Sequence, residues 1–298
     1  LKTAVIDIGT NTLLLLIVDD RLQRVVDLCR FGRLGKGLDA SGNLAADAIA
    51  KSLEICREYR RVMDDHGIAV PNVIATQALR EAKNATEFVA PAEAILGAQI
   101  EIIAGAREAE LAYTSVARAF PELAGTPYVV VDVGGGSTEL IVTDGTQVVS
   151  AVSVPIGAVR LTERHLKHDP PQRHEVTELE ADIDRHLAAL ALPVGVPLIG
   201  TAGTATTMAA IALALTTYDP DRVTGLRLTP EQVATLRDTM IAASTAERRA
   251  TPGVEPQRAD VIAAGIVIYA RVLARLHAPA MITCDRGIRW GLAAERLG

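Results

Sequence analysis

The chain has 298 residues, enough for one large domain or two smaller ones, and 49% of it is hydrophobic but only 3% aromatic, so any core is aliphatic. Its formal net charge of -6 argues against a general nucleic-acid binder, which usually carries a basic excess, yet leaves room for an anionic substrate gripped by a local arginine cluster. Cys29, Cys56 and Cys284 form no CxxC pair and are odd in number, which argues against a disulfide framework or a zinc site and fits a reducing cytoplasm.

In chain order, residues 3–8 read as a buried strand and residues 12–19 as a second, joined by a tight turn at Gly9, Thr10 and Asn11. The apolar run Leu13–Val18 is far too short to span a bilayer, and no charged-then-apolar signal region precedes it, so a cytoplasmic protein with no membrane partner is expected. Residues 45–66 carry apolar positions at Ala45, Ile49, Leu53, Cys56, Tyr59 and Met63 and stop at Gly67, the pattern of a helix with one buried face. A strand over 72–79, a helical stretch over 80–96, a strand over 99–105 and a helix over 106–120 follow. The pattern then restarts with strands at 128–133, 138–143 and 147–154. Helices at 158–167 and 175–191, a strand at 197–201 and Ala- and Leu-rich helices complete the chain. His165 and His168 read as surface residues, and Thr245–Gln257, charged and carrying two prolines, is the stretch nearest to a mobile one.

The restart is an internal echo. "AVIDIGTNTLLLLIVDD" and "VVVDVGGGSTELIVTDG" both run strand, Asp-x-Gly, small polar residues, strand, acidic turn. Two similar α/β halves follow, residues 1–122 and 123–298, with the last helix able to pack back on the first. In the second copy, Gly134, Gly135 and Gly136 let backbone N–H groups point into one concavity, and Ser137 and Thr138 add hydroxyls. Such a nest binds phosphate oxygens, and Asp132 and Glu139 can flank a neutralising cation. The other reading is a plain glycine-bulged hairpin. The first copy, Asp7 to Thr12, is an ordinary hairpin if taken alone. Two such hairpins facing each other across a cleft would hold neighbouring phosphates of one substrate. Neither GK[ST] nor GxGxxG is present, because a strand follows where those motifs need a helix.

Four further stretches bear on this. Arg80, at a loop-to-helix junction, is a phosphate clamp or a solvated helix residue. Glu108 and Glu110 open a helix, where acids usually complement the helix dipole, but one acid there can serve as a general base. "IGTAGTATTMAA" (199–210) suits either approach of a phosphate to a helix N-terminus or close helix packing. Arg258 is a phosphate ligand or a surface residue paired with Glu255 or Asp260, and Asp285 and Arg289 can pair structurally.

Taken together, "DIGTNT", "ATQALREAKNA", "GAREAEL", "DVGGGSTEL", "VPIGAVRLTE", "GTAGTATT", "YDP", "EPQRADVIAAG" and "DRGIRWG" resemble the exopolyphosphatase/guanosine pentaphosphate phosphohydrolase (Ppx/GppA) family over nearly the whole chain. The resemblance implies two actin-like (ribonuclease H-like) α/β domains, mixed sheets flanked by helices, with the active site in the interdomain cleft. It implies Mg2+-dependent hydrolysis of a terminal phosphoanhydride in inorganic polyphosphate, guanosine pentaphosphate or both, and a homodimer. It places the general base on Glu108 and the metal acids on Asp132 and Glu139. It places phosphate-gripping loops on Gly9, Thr10, Asn11 and Thr12 and on Gly134 to Thr138, and substrate arginines on Arg80 and Arg258. Many members have an acid where this chain has Arg107, and some have a Cys where it has Ala158. Some also carry a further helical domain beyond the position of residue 298. Two rivals stand beside the hydrolase: a small-molecule kinase of the same superfamily, and a sensor that binds guanosine tetra- or pentaphosphate without turnover.

Overall fold

The computed structural model describes residues 2–298. Its first sheet begins with β1 (Lys2–Ile8) and β2 (Leu13–Asp19), apolar runs broken by the turn at Gly9. β3 (Arg24–Arg30) follows, then α1 (Leu38–Ser41), α2 (Ala46–Asp65), β4 (Asn72–Ala75), α3 (Gln77–Glu81), α4 (Thr86–Leu96), β5 (Ile100–Ile102) and α5 (Gly105–Ala119). The strand order is β3-β2-β1-β4-β5. β1, β2 and β3 pair antiparallel, and β1, β4 and β5 pair parallel. Ala4, Ile6, Ile8, Leu13, Leu15 and Ile17 form one core with Ile55, Tyr59 and Met63 of α2 and Phe88, Ala92 and Leu96 of α4. Val5, Leu16 and Val18, which alternate with them and so face the other way, are also fully buried. The sheet is therefore covered on both faces, which is why its central strands read as unbroken apolar runs.

The second sheet repeats the arrangement with β6 (Tyr128–Val133), β7 (Thr138–Thr143), β8 (Val148–Val154), α6 (Ala158–His165), α7 (Arg173–Ala188), β9 (Leu198–Thr201) and α8 (Ala202–Ala212). It continues with α9 (Pro220–Val223), β10 (Arg227–Leu228), α10 (Pro230–Ala242), α11 (Thr245–Ala250), α12 (Ile262–Leu276) and β11 (Met281–Thr283), before α13 (Ile288–Leu297) ends the chain. The order is β10-β11-β9-β6-β7-β8. Its β8-β7-β6-β9-β11 portion reproduces the first sheet's pattern of an antiparallel hairpin extended by parallel strands, with β10 added antiparallel at the edge. Both sheets are mixed and flanked by helices, the actin-like (ribonuclease H-like) class. Val129, Val131, Val133 and Leu140 pack with Leu179 and Ile183 of α7 and with the almost wholly buried α12.

The chain divides into two compact units: one runs up to Leu111 and takes back Ile288–Gly298, and the other is Ala112–Gly287. The division falls inside α5 rather than between residues 122 and 123, and α13 packs on β1 and β2 of the first unit. Gly291 of α13 lies so close to α5 that a Cβ there would sit 2.1 Å from the Leu111 carbonyl oxygen.

Local departures from the sequence reading have physical causes. β3 was not anticipated; it is a half-exposed edge strand with arginines at both ends and no strong alternation. The strand expected over 72–79 stops at Ala75, and its last residues turn into α3. Thr245–Gln257 is not loose. Ser244 and Glu247 form a capping box on α11, and the buried Arg248 guanidinium donates to the Met240 carbonyl at 2.6 Å. Among the described residues no helix is long and apolar enough to cross a membrane.

Candidate active site

The turn between β1 and β2 is closed by Gly9 N–H donating to the Thr12 carbonyl at 2.9 Å. The carbonyl of Thr10 accepts from Gly35 N–H at 2.8 Å, and that of Asn11 from Arg33 N–H at 3.0 Å. In a trans peptide the C=O and N–H point in opposite directions. Holding those two carbonyls from behind therefore aims the N–H groups of Asn11 and Thr12 out of the turn. Residue 35 has to be glycine, because a Cβ there would lie 2.1 Å from Thr10 Cγ2. The Thr10 hydroxyl donates to Gln77 Oε1 at 2.8 Å, which ties the turn to α3.

α3 also carries Arg80. Its guanidinium donates to the Ile103 carbonyl at 2.6 Å and to Glu108 Oε2 at 2.9 Å. Two separately proposed residues are thus one ion pair at the head of α5. Glu108 is only 7% exposed, so the pair is weakly screened and holds the carboxylate in one place. The adjacent Arg107 turns away from this chemistry. It donates to Glu110 at 2.8 Å and to both carboxylate oxygens of Glu295, tying α5 to α13.

The turn between β6 and β7 repeats the first one. Gly134 N–H donates to the Ser137 carbonyl at 3.0 Å, as Gly9 does to Thr12. The start of α6 lies against the turn: Ala158 N–H donates to Gly134 O at 2.9 Å, and the N–H groups of Val159 and Arg160 both donate to Gly135 O. Gly157 permits this contact, since a Cβ there would be 2.5 Å from the backbone of Gly135 and Gly136. The Arg160 side chain closes the set, with Nε donating to Gly136 O at 2.8 Å. All three glycine carbonyls face the helix. The N–H groups of Gly135, Gly136 and Ser137 consequently face the other way, and they find no backbone acceptor among the described residues. Backbone donors aimed together in this way suit an anion.

Asp132 and Glu139 stand directly opposite each other in the β6–β7 ladder, on one face and both buried. Like charges so placed are unfavourable without a counter-charge. Burial pushes the Asp132 carboxyl up to about 6, and the hydrogen bond from the Thr201 hydroxyl to its Oδ2, at 3.0 Å, offsets this only in part. Glu139 Oε1 accepts from the Ser137 hydroxyl at 2.9 Å and from the Ser153 hydroxyl at 2.6 Å. Among the described residues no cluster of three or more His, Cys, Asp or Glu can hold a metal by itself. Two hard-oxygen carboxylates beside the triglycine turn nevertheless suit Mg2+, which is typically held by one or two carboxylates together with substrate phosphates. The donor set fits that ion.

Arg258 is brought to the head of α8. Its guanidinium lies over Gly203, where a Cβ would come within 2.3 Å of Nη1, so the small residues of "GTAGTATT" admit an arginine as well as the helix terminus. Ala202, at the entry to that helix, has φ 63, a left-handed conformation that strains a non-glycine residue and forms part of this tight approach. Arg289 donates to Asp27 at 2.6 Å. His165 is not a surface residue: it lies 2.8 Å from the buried Asp182, which also accepts from Arg164 and Arg185. The exposed His168 pairs with Glu175 at 3.0 Å. The reading of the sequence missed Thr201, Ser153, Arg160 and Gln77 as site residues. Each acts by holding another group, and their motifs carried no charge pattern that would mark them.

Two mixed sheets of one pattern, each carrying such a hairpin, define a duplicated α/β chain. Residues 15–298 match the Ppx/GppA phosphatase family, and the chain belongs to that family. It is 35% identical over 294 residues to exopolyphosphatase 2 of Mycobacterium tuberculosis, covering 93% of this chain and 91% of that one. It is also similar to the crystal structure of an exopolyphosphatase from Cytophaga hutchinsonii, with TM-score 0.91 and 28% identity over 100% of this chain and 98% of that one. The Aquifex aeolicus member of the Ppx/GppA family gives TM-score 0.81 and 33% identity over 100% and 98% of the two chains.

Proposed function

We propose that this protein is an exopolyphosphatase, releasing orthophosphate from the end of inorganic polyphosphate by in-line attack of water. The observation that carries the reading is the duplicated turn, in which the carbonyls of Thr10 and Asn11 in one copy and of Gly134, Gly135 and Gly136 in the other are held from behind, leaving oriented amides for phosphate oxygens. Phosphoryl transfer asks a protein mainly for positioning and charge neutralisation, and both turns offer that. Glu108 takes a proton from the attacking water as the new P–O bond forms and the bridging P–O bond breaks toward the shortened chain. Arg80 keeps the Glu108 carboxylate aimed until then. The amides of residues 135–137 and of 11–12 hold phosphoryl oxygens, and Arg258 with the head of α8 holds phosphates further from the cleaved bond. Asp132 and Glu139 would hold Mg2+, which when bound supplies neutralisation of phosphate charge. No Ser, Cys or His nucleophile is required.

The names of the relatives support polyphosphate as substrate. The 5′-terminal phosphate of guanosine pentaphosphate offers the same phosphoanhydride to the same groups. Phosphate release with Mg2+ from short-chain polyphosphate, long-chain polyphosphate and guanosine pentaphosphate, measured side by side, tests the reading. Turnover of polyphosphate is expected. Release from none of the three, with ATP consumed only when an acceptor is added, would replace the hydrolase with a kinase.

A further inference from the structure

We infer that Arg160 is a positioning residue for phosphoryl transfer, acting by fixing the plane of the Gly136–Ser137 peptide. The inference rests on the reading above that the triglycine turn receives a phosphoryl group. Three peptide planes make up the turn. The 134–135 plane is fixed by Ala158 N–H on Gly134 O, and the 135–136 plane by two amides on Gly135 O. Both depend on helix backbone, so no side-chain change at those positions removes them. The 136–137 plane is held differently. Among the described residues, the donor to Gly136 O is the Arg160 Nε at 2.8 Å.

Glycine leaves a peptide plane free to rotate, because no Cβ restricts φ and ψ on that side. Residue 136 is a glycine, so the bond from Arg160 does what a side chain at 136 would otherwise do. Turning the Gly136 carbonyl toward the phosphate side would place a lone pair where a donor is wanted, and the Ser137 N–H would leave the nest. The same rotation would then carry Ser137 away from Glu139, whose Oε1 accepts the Ser137 hydroxyl at 2.9 Å. Arg160 is pinned at its own backbone as well, its N–H on Gly135 O at 3.0 Å, so its side chain starts from a fixed point one residue from the carbonyl it holds. The first hairpin has no counterpart: its Thr10 and Asn11 carbonyls are both held by backbone amides, of Gly35 and Arg33. Position 160 therefore controls a peptide of the triglycine turn whose carbonyl is held by a side chain.

The test compares wild type with Arg160→Met and Arg160→Lys. Three quantities are measured on the full chain with Mg2+: steady-state phosphate release from polyphosphate, affinity for orthovanadate, and melting temperature. Loss of one oriented donor typically lowers kcat by about 10²-fold. Arg160→Met is expected to lose that factor in kcat and a similar factor in vanadate affinity, with a melting temperature close to wild type. Arg160→Lys, which keeps a donor within reach of Gly136 O, is expected to recover about tenfold of that loss. The salt dependence of KM is expected to stay as in wild type, since the lost interaction is with the protein's own carbonyl. Unchanged kcat and vanadate affinity in Arg160→Met would overturn the inference. So would a flattened salt dependence with kcat intact, because Arg160 would then be gripping the substrate directly. If wild type binds vanadate but releases no phosphate from polyphosphate, the exopolyphosphatase reading fails, while the vanadate comparison still judges Arg160. If wild type does not bind vanadate, the inference fails with the nest itself.

Discussion

Replacing Asp132 by Asn is expected to make the metal-free protein more stable at neutral and alkaline pH. The carboxyl is buried, and burial raises it from an ordinary value of 3.8 to about 6, the Thr201 hydroxyl offsetting only part of the cost. A difference of roughly two units corresponds to ~3 kcal/mol of penalty for ionising the folded protein. The sign follows from linkage. A group whose folded value lies above its unfolded value contributes stability that is present below the unfolded value and lost as pH rises through the folded one. Wild type therefore loses this contribution between about pH 4 and pH 6, whereas the amide of Asp132→Asn never ionises and can still accept the Thr201 hydrogen bond. The variant should gain ~3 kcal/mol at about pH 8, about half of that near pH 5, and little near pH 4. Urea unfolding in the presence of a chelator, repeated at those pH values, measures this. Saturating Mg2+ should then stabilise wild type by the mass-action term and leave Asp132→Asn unchanged. An Asp132→Asn protein no more stable than wild type at about pH 8 would show that the site is already neutralised without metal, and the argument from burial would be refuted.

Other expected outcomes follow from single contacts. Arg80→Met leaves the buried Glu108 carboxylate without that partner and should cost ~2–3 kcal/mol, below the usual cost of breaking a fully buried pair because Arg80 is partly exposed; Glu108→Gln in the same background should recover most of it in a double-mutant cycle of unfolding free energies. Ser153→Ala removes one of two hydroxyls on Glu139 Oε1 and should weaken Mn2+ affinity, read by electron paramagnetic resonance, by about 10- to 100-fold, the usual effect of an outer-shell partner. Gly157→Ala forces α6 off the triglycine turn and should cost ~1–3 kcal/mol in thermal unfolding while abolishing phosphate release.

What the sequence made legible, and what it hid, can be traced to particular residues. The echo of Asp7–Thr12 in Asp132–Ser137 is visible as letters, and it returns in space as Gly9 N–H on Thr12 and Gly134 N–H on Ser137. Apolar runs and glycine turns marked β1, β2, β6 and β7, because burial on both faces leaves no ambiguity there. The edge strand β3 left no such mark. Pairing Arg80 with Glu108 needed the path of α3 across β5 to α5, which no local pattern encodes. Ser153 was hidden by a specific irregularity. Counting back from Thr143 opposite Val148 would place Val152 opposite Glu139, but a bulge between Val142 and Thr143 shifts the register by one and brings Ser153 there instead. A one-residue shift exchanges the two faces of a strand, so here it decides whether Glu139 meets a methyl group or a hydroxyl. Arg160 lies within a family motif, but its bond runs to a carbonyl, and carbonyls leave no trace in a sequence.

The proposed mechanism turns on Glu108 as the residue that takes the proton from water. The most direct test is phosphate release from polyphosphate by Glu108→Gln, measured beside the binding of orthovanadate to the same preparation. A fall in kcat of about 10²- to 10⁴-fold, the usual contribution of a general base, is expected, with vanadate binding retained. Turnover near the wild-type rate in Glu108→Gln would contradict the mechanism.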